Sequence, residues 1–140
     1  MSFEKIQATS HEEVIHPRSC VMLYYFTPAE LRQIQLVAKM VGVADQIVLG
    51  TGQGECTLQA ILDNEITTNQ GEEIKQKAVV FNNIAGTRIN AFIEGLKKFR
   101  INRPLMAVVT ETSIKWTLNQ LLMELSEEHQ ALKKNQWNNH

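Results

Sequence analysis

The chain has 140 residues, 44% of them hydrophobic and 21% charged, with a formal net charge of −1. That mixture suits one globular domain with its own core and excludes the charge-rich, apolar-poor composition of a disordered chain. A charge so near zero supplies no overall field to hold the molecule on nucleic acid or on an anionic membrane, so either partner would need a local patch.

Residues 1–19 carry acids and histidines but not the apolar run of a signal peptide, and read as an N-terminal arm. Residues 20–26 form the first candidate strand, apolar without alternation, as suits a strand covered on both faces and far too short to span a bilayer. Thr27, Pro28 and Glu30 then combine a capping-box pair with proline at the first helical position. The helix they open places Leu31, Ile34, Val37, Ala38 and Val41 on one face. Leu36 and Met40 widen that face towards a neighbour, and Gly42 is the stop signal.

A second strand follows at 46–49, then a glycine-rich loop and a shorter helix from Thr57 to about Asn64. Residues 65–77 are polar except for Ile66 and Ile74 and read as a surface linker. The third strand lies at 78–81. The third helix, within 87–100, spaces Ile89, Phe92, Ile93, Leu96 and Phe99 by threes and fours before Asn102 and Pro104 end it. A fourth strand at 105–109 leads to a last helix opened by a second capping-box pattern, Thr117 with Gln120, with a stripe of Leu118, Leu121, Leu122, Leu125 and Leu132. The tail, 135–140, shows no sustained periodicity.

Laid on one another, residues 20–64 and 78–134 repeat a β-α-β-α order. Ile34 falls on Phe92 and Thr57 on Thr117, which points to an internal duplication, although burial alone imposes much of such a pattern. The expected fold is a single α/β domain over 20–134 with a four-stranded, mainly parallel sheet in the order 2-1-3-4. A pseudo-two-fold axis along the strands would put helices one and four on one face and two and three on the other. A ferredoxin-like α+β arrangement with extra helices is the alternative.

Three constellations could carry chemistry. The loop containing Gly52, Gln53 and Gly54 follows a strand and leads to a capped helix, a setting in which backbone N–H groups cradle phosphate. It lacks the lysine of a phosphate-binding loop, and Glu55 would repel an anion, so a flexible turn is the favoured reading. In an open parallel sheet the ligand crevice lies where strand order reverses, here between strands one and three, lined by Thr27, Asn82 and Asn83. His11, His16 and Cys20 with Glu12 and Glu13 match no standard zinc spacing. His129 reads as an exposed helix position and Ser113 as a loop serine, so neither nominates a catalytic set, and no cofactor is implied.

Two patterns bear on partners. Lys97, Lys98, Arg100 and Arg103 form a basic cluster that Glu94 partly offsets, a solvated helix end rather than a nucleic-acid site. Leu118, Leu125 and Leu132 are spaced by seven, with Trp137 beyond, so the last helix could pair with a second copy. Cys20 and Cys56 stand far apart, as thiols in a reducing cytoplasm would.

The stretch through Val108, Val109, Thr110, Glu111, Thr112, Ser113, Ile114, Lys115, Trp116, Thr117 and Leu118, continuing to His129, resembles domain of unknown function family 3783, a family of uncharacterised bacterial proteins. Its members end in a strand, a Thr-x-Thr loop, a Trp-Thr pair and an acidic leucine-rich helix, and the likeness extends over about residues 79–129. The resemblance implies no activity, cofactor or partner. On physical grounds Trp116 can close over the end of the last strand while Thr117 caps the helix and the Thr110 and Thr112 hydroxyls serve the loop. The same signature also makes Thr110, Glu111, Thr112 and Trp116 a possible ligand-facing rim. The expectation is therefore a binding or regulatory domain without catalytic activity, a homodimer through its last helix. The alternative is an enzyme or sensor for a small anionic ligand at the strand carboxyl ends.

Overall fold

The computed structural model describes residues 14–138, with side chains as far as Leu132. In chain order the elements are β1 (Cys20–Tyr24), α1 (Pro28–Met40), β2 (Gln46–Leu49), α2 (Leu58–Leu62), β3 (Ala78–Asn82), α3 (Gly86–Lys98), β4 (Leu105–Val108) and α4 (Leu118–Asn138). Single 3-10 turns at Thr51–Gln53 and Ser113–Lys115 lead into α2 and α4.

The predicted caps form. The Thr27 hydroxyl accepts from the Glu30 amide while the Glu30 carboxylate accepts from the Thr27 amide. Thr57 caps α2 by accepting from Ala60 N, and Thr117 with Gln120 completes the same reciprocal pair at α4. α3 starts at Ala85 without a side-chain cap. The two halves also turn alike. Tyr25 and Asn83, each just past a strand, have φ of 65° and 54°, and Gly42 and Arg100, each just past a helix, have 86° and 56°. Both pairs are 58 positions apart (25 to 83, 42 to 100). At Arg100 a bulky side chain occupies the left-handed region that glycine fills in the first half, at a cost of about 1–2 kcal/mol.

The sheet order is β2-β1-β3-β4, as the sequence leads one to expect. Two of the three junctions, β1 with β2 and β3 with β4, are parallel. The central one is antiparallel, pairing Cys20 with Asn82 and Tyr24 with Ala78. This corrects the proposed symmetry, because an antiparallel pair is related by a two-fold rotation about an axis perpendicular to the sheet, not along its strands. Such a rotation keeps each helix on its own face, so α1 and α3 share one side and α2 and α4 the other.

The direction change comes from residues 65–77. They lie on the surface, as expected, exposed except at Ile74 and Lys77, and run as a strap back over the first half, held by Asn69 N to Gly52 O (2.9 Å) and Tyr24 Oη to Ile74 O (2.7 Å). Lys77 then pairs with Glu30 at the start of α1. The chain therefore enters β3 at the edge where β1 ends, and β3 must run the other way.

Two cores result. On one side Val21, Leu23, Val79 and Phe81 of the sheet meet Ile34 and Val37 of α1 and Ile89, Phe92 and Leu96 of α3. On the other, Met22, Tyr24 and Val80 meet Leu58, Ile61 and Leu62 of α2 and Leu118, Leu121 and Leu122 of α4. The central strands are buried throughout, which is why they read as unbroken apolar runs. Val37 meets Gly95 where α1 and α3 cross: a Cβ on Gly95 would lie 2.6 Å from Val37 Cγ1, so only glycine permits this approach.

Candidate functional site

The loops after β2 and β4 occupy corresponding places in the two halves, and they meet over the α2/α4 face. Thr57 and Thr117 form an antiparallel bridge. Leu58 N donates to Trp116 O (3.0 Å) and Leu118 N to Cys56 O (2.8 Å), while Asn119 N donates to Gly54 O (2.9 Å). The first helical amides, which have no partner within their own helix, are thus satisfied by the other half.

Within this junction the glycine loop is already filled. Gln53 folds back so that its Oε1 accepts from Gly50 N, and its Nε2 donates to Thr68 Oγ1 of the strap. Gly54 is buried against Asn119: a Cβ there would lie 2.3 Å from Asn119 Oδ1. Asn119 Nδ2 bridges Glu55 Oε1 (3.1 Å) and Glu72 O (2.9 Å), binding α4, the loop and the strap together. Its Oδ1 is buried and has no hydrogen-bond partner among the described residues. A carboxylate and a strap backbone therefore sit where an anion would have to approach.

The corresponding loop of the second half closes on itself. Thr110 N donates to Ser113 Oγ and Ser113 N to Thr110 Oγ1, with the hydroxyls 3.1 Å apart. Ser113, which reads from sequence as an ordinary loop serine, is buried and holds the turn. Trp116 is half-buried against the core and gives its carbonyl to α2. Glu111 and Thr112 are exposed.

The remaining sequence candidates part company. Thr27 lies at the carboxyl end of β1, while Asn82 pairs with Cys20 at that strand's start, so the antiparallel junction puts them at opposite edges of the sheet. The crevice drawn between strands one and three does not form, because its strands do not present their carboxyl ends together. Asn82 instead donates to the carbonyls of His16 and Arg18, and Asn83 to Pro17 O and Ser19 Oγ, fastening the chain ahead of β1.

Electrostatics at that edge are structural as well. Arg18 grips Asp45 through two hydrogen bonds of 2.7 and 3.0 Å and reaches the Leu62 carbonyl at the end of α2. The guanidinium bond holds the Asp45 carboxyl below its ordinary range and raises the arginine in turn. His16 accepts from Arg18 N through Nδ1, which leaves its Nε2–H to donate to Asp63 (2.8 Å). Cys20 is fully buried, and burial pushes its thiol up to about 11. Of the zinc constellation, His16 and Cys20 are thus committed elsewhere, while His11, Glu12 and Glu13 lie outside the described residues. Among the described residues there is no group of three or more His, Cys, Asp or Glu placed to hold a metal ion.

Sequence reasoning missed Asn119, Arg18 and Asp45. Asn119 sits within the α4 capping motif and reads as a polar first-turn residue; nothing local announces that its amide ties three segments together. The 65–77 strap carried one signal, Ile74, which packs against the α2/α4 core.

Residues 77–132 match the model of a family described as Domain of unknown function (DUF3783). The match begins just ahead of β3 and ends within α4, so it covers the second of the two β-α-β-α halves and is a likeness of that segment alone. The description names no activity. No match was found among curated proteins or solved structures. Among the described residues, no helix is long and apolar enough to cross a membrane.

Proposed function

We propose that this chain is a non-catalytic binding domain that self-associates through its C-terminal helix. The observation that carries this reading is where α4 parts from the core. Leu118, Leu121 and Leu122 are buried and Leu125 half-buried, and Gln76 bonds to Ser126 (2.9 Å), but residues 127–132 are all exposed and the helix runs on to Asn138. From Glu127 onward that is about 18 Å of helix at 1.5 Å per residue. A lone helix of this length is marginal in water, because most helical stability in proteins comes from packing an apolar face. Leu132, 63% exposed, offers such a face and gains nothing from its own core. Gln53, Thr110 and Ser113, by contrast, are taken up in their own turns, which is why the reading is non-catalytic. The Trp137 side chain lies outside the described residues.

The matched turns of the two halves support an origin by duplication, and two buried, separate cysteines suit a reducing cytoplasm. Light scattering coupled to size exclusion tests the main reading: the wild-type chain runs as a dimer and Leu132→Glu as a monomer whose melting temperature no longer depends on concentration. A wild-type monomer at high concentration would overturn it.

A further inference from the structure

The net charge of −1 conceals a division across the sheet. Arg32, Lys39, Arg88, Lys97, Lys98 and Arg100 stand exposed on or just beyond α1 and α3, and the only acids of those helices, Glu30 and Glu94, are paired with Lys77 and Lys97. On the opposite side α4 carries Glu124, Glu127 and Glu128, all exposed, and no lysine or arginine before Lys133. One helical layer is basic and the other acidic.

The basic layer also has an opening. Between α1 and α3 lies a groove of about 290 Å³ with Val37, Met40 and Val41 on one wall and Ala91, Glu94, Lys98 and Phe99 on the other, and Gly95 at the close crossing below; Glu94 is paired with Lys97, which leaves Lys98 as the uncompensated charge of the lining. Met40 is 69% exposed and Phe99 39%, with Leu36 standing exposed on the same helix as Met40. Large apolar side chains grouped this way and rimmed by charge mark an interaction surface. An amphipathic helix presenting leucines flanked by acids fits such a groove in shape and in sign.

The protein contains one. On α4, Leu125 and Leu132 lie along one line, and Glu128 falls beside it at helical spacing. The core takes up Leu118 fully and Leu125 in part, so only Leu132 is left of the heptad series and a self-paired coiled coil lacks a seam. The exposed stretch of α4, residues 127–132, spans about 9 Å and carries Glu127 and Glu128 with no lysine or arginine. We infer that the α1/α3 groove receives the acidic C-terminal helix of a second copy. This rests on the dimer reading above and adds the surface that the helix contacts.

Met40→Glu blocks the groove and Leu132→Glu blocks the helix. Both positions are well exposed, so each variant should keep the wild-type circular dichroism spectrum, and Lys98→Glu is a second groove variant should Met40→Glu fold poorly. Each alone is expected to weaken the dimer by at least about tenfold, and rising salt to weaken the wild-type dimer. The decisive step mixes the two variants. Met40→Glu still has an intact helix and Leu132→Glu an intact groove, so together they recover a heterodimer that neither forms alone. A Met40→Glu chain that dimerises as tightly as wild type, or a mixture that stays monomeric, overturns the groove while leaving helix-mediated association standing. A monomeric wild type removes both.

Discussion

Two helices on the same face, α2 and α4, begin alike and end very differently. Both open on a threonine cap, both bury a leucine in their first position, and each receives its first amide bond from the other's loop. α2 then stops after Leu62, where Arg18 takes up its last carbonyl, whereas α4 continues to Asn138. The core on this face is covered by the residues up to Leu125. What the difference teaches is that covering the sheet takes two turns of helix, and that the exposed residues 127–132 of α4 lie beyond what the core needs.

The largest expected effect separates the two parts of α4. Leu118 is fully buried, and Leu118→Ala should destabilise the fold by about 2–5 kcal/mol in urea titration. Leu132→Ala should stay within about 0.5 kcal/mol for the monomer. Equal losses at the two positions would mean that the outer helix is part of the core after all. Next comes the contact between the glycine loop and α4. Gly54→Ala forces a methyl group into Asn119 and should cost about 1–3 kcal/mol by overpacking, measured by thermal melting. A neutral result would mean that the α4 start shifts freely.

Cap removal is smaller and probes the likeness of the halves rather than their difference. Thr57→Ala and Thr117→Ala should each cost about 1 kcal/mol. If the crossed amide bonds couple the two helix starts, the double variant should lose more or less than the sum of the singles. The smallest effect belongs to the stop on α2. Asp45 is held below its ordinary range by Arg18, so its contribution is present above the unfolded carboxyl value near 4 and is lost as pH falls through the lower, folded value. Both partners are partly exposed, so solvent screens the pair and the loss should be slight. Acid titration of wild type against Asp45→Asn reads it, and parallel curves would show that the pair contributes nothing.

Much of the architecture was legible because burial writes a simple code. Cys20 to Tyr24 and Ala78 to Asn82 are covered on both faces and read as unbroken apolar runs, and Thr27 with Glu30 and Thr117 with Gln120 mark helix starts through bonds that need only local sequence. Strand direction was not legible, since parallel and antiparallel central strands bury the same side chains. It depended on a polar strap whose hydrogen bonds run mostly through backbone carbonyls, which every residue type has. The grouping of Thr27 with Asn82 and Asn83 was illegible for the same reason. Thr27 and Asn82 are both at strand ends, but which end faces which edge is a property of the path of residues 65–77. Asn119 and Gly54 form a contact between halves that no spacing rule anticipates.

The exchanged amide bonds at Thr57 and Thr117 bear on how this molecule can come apart. Leu58 and Leu118 each donate across the boundary between the halves, so neither helix nucleus is complete while the other half is unfolded. A chain of two β-α-β-α halves would ordinarily be expected to contain two separable folding units. Here the halves are interlocked at the starts of α2 and α4, and loss of one should bring down the other in a single cooperative transition.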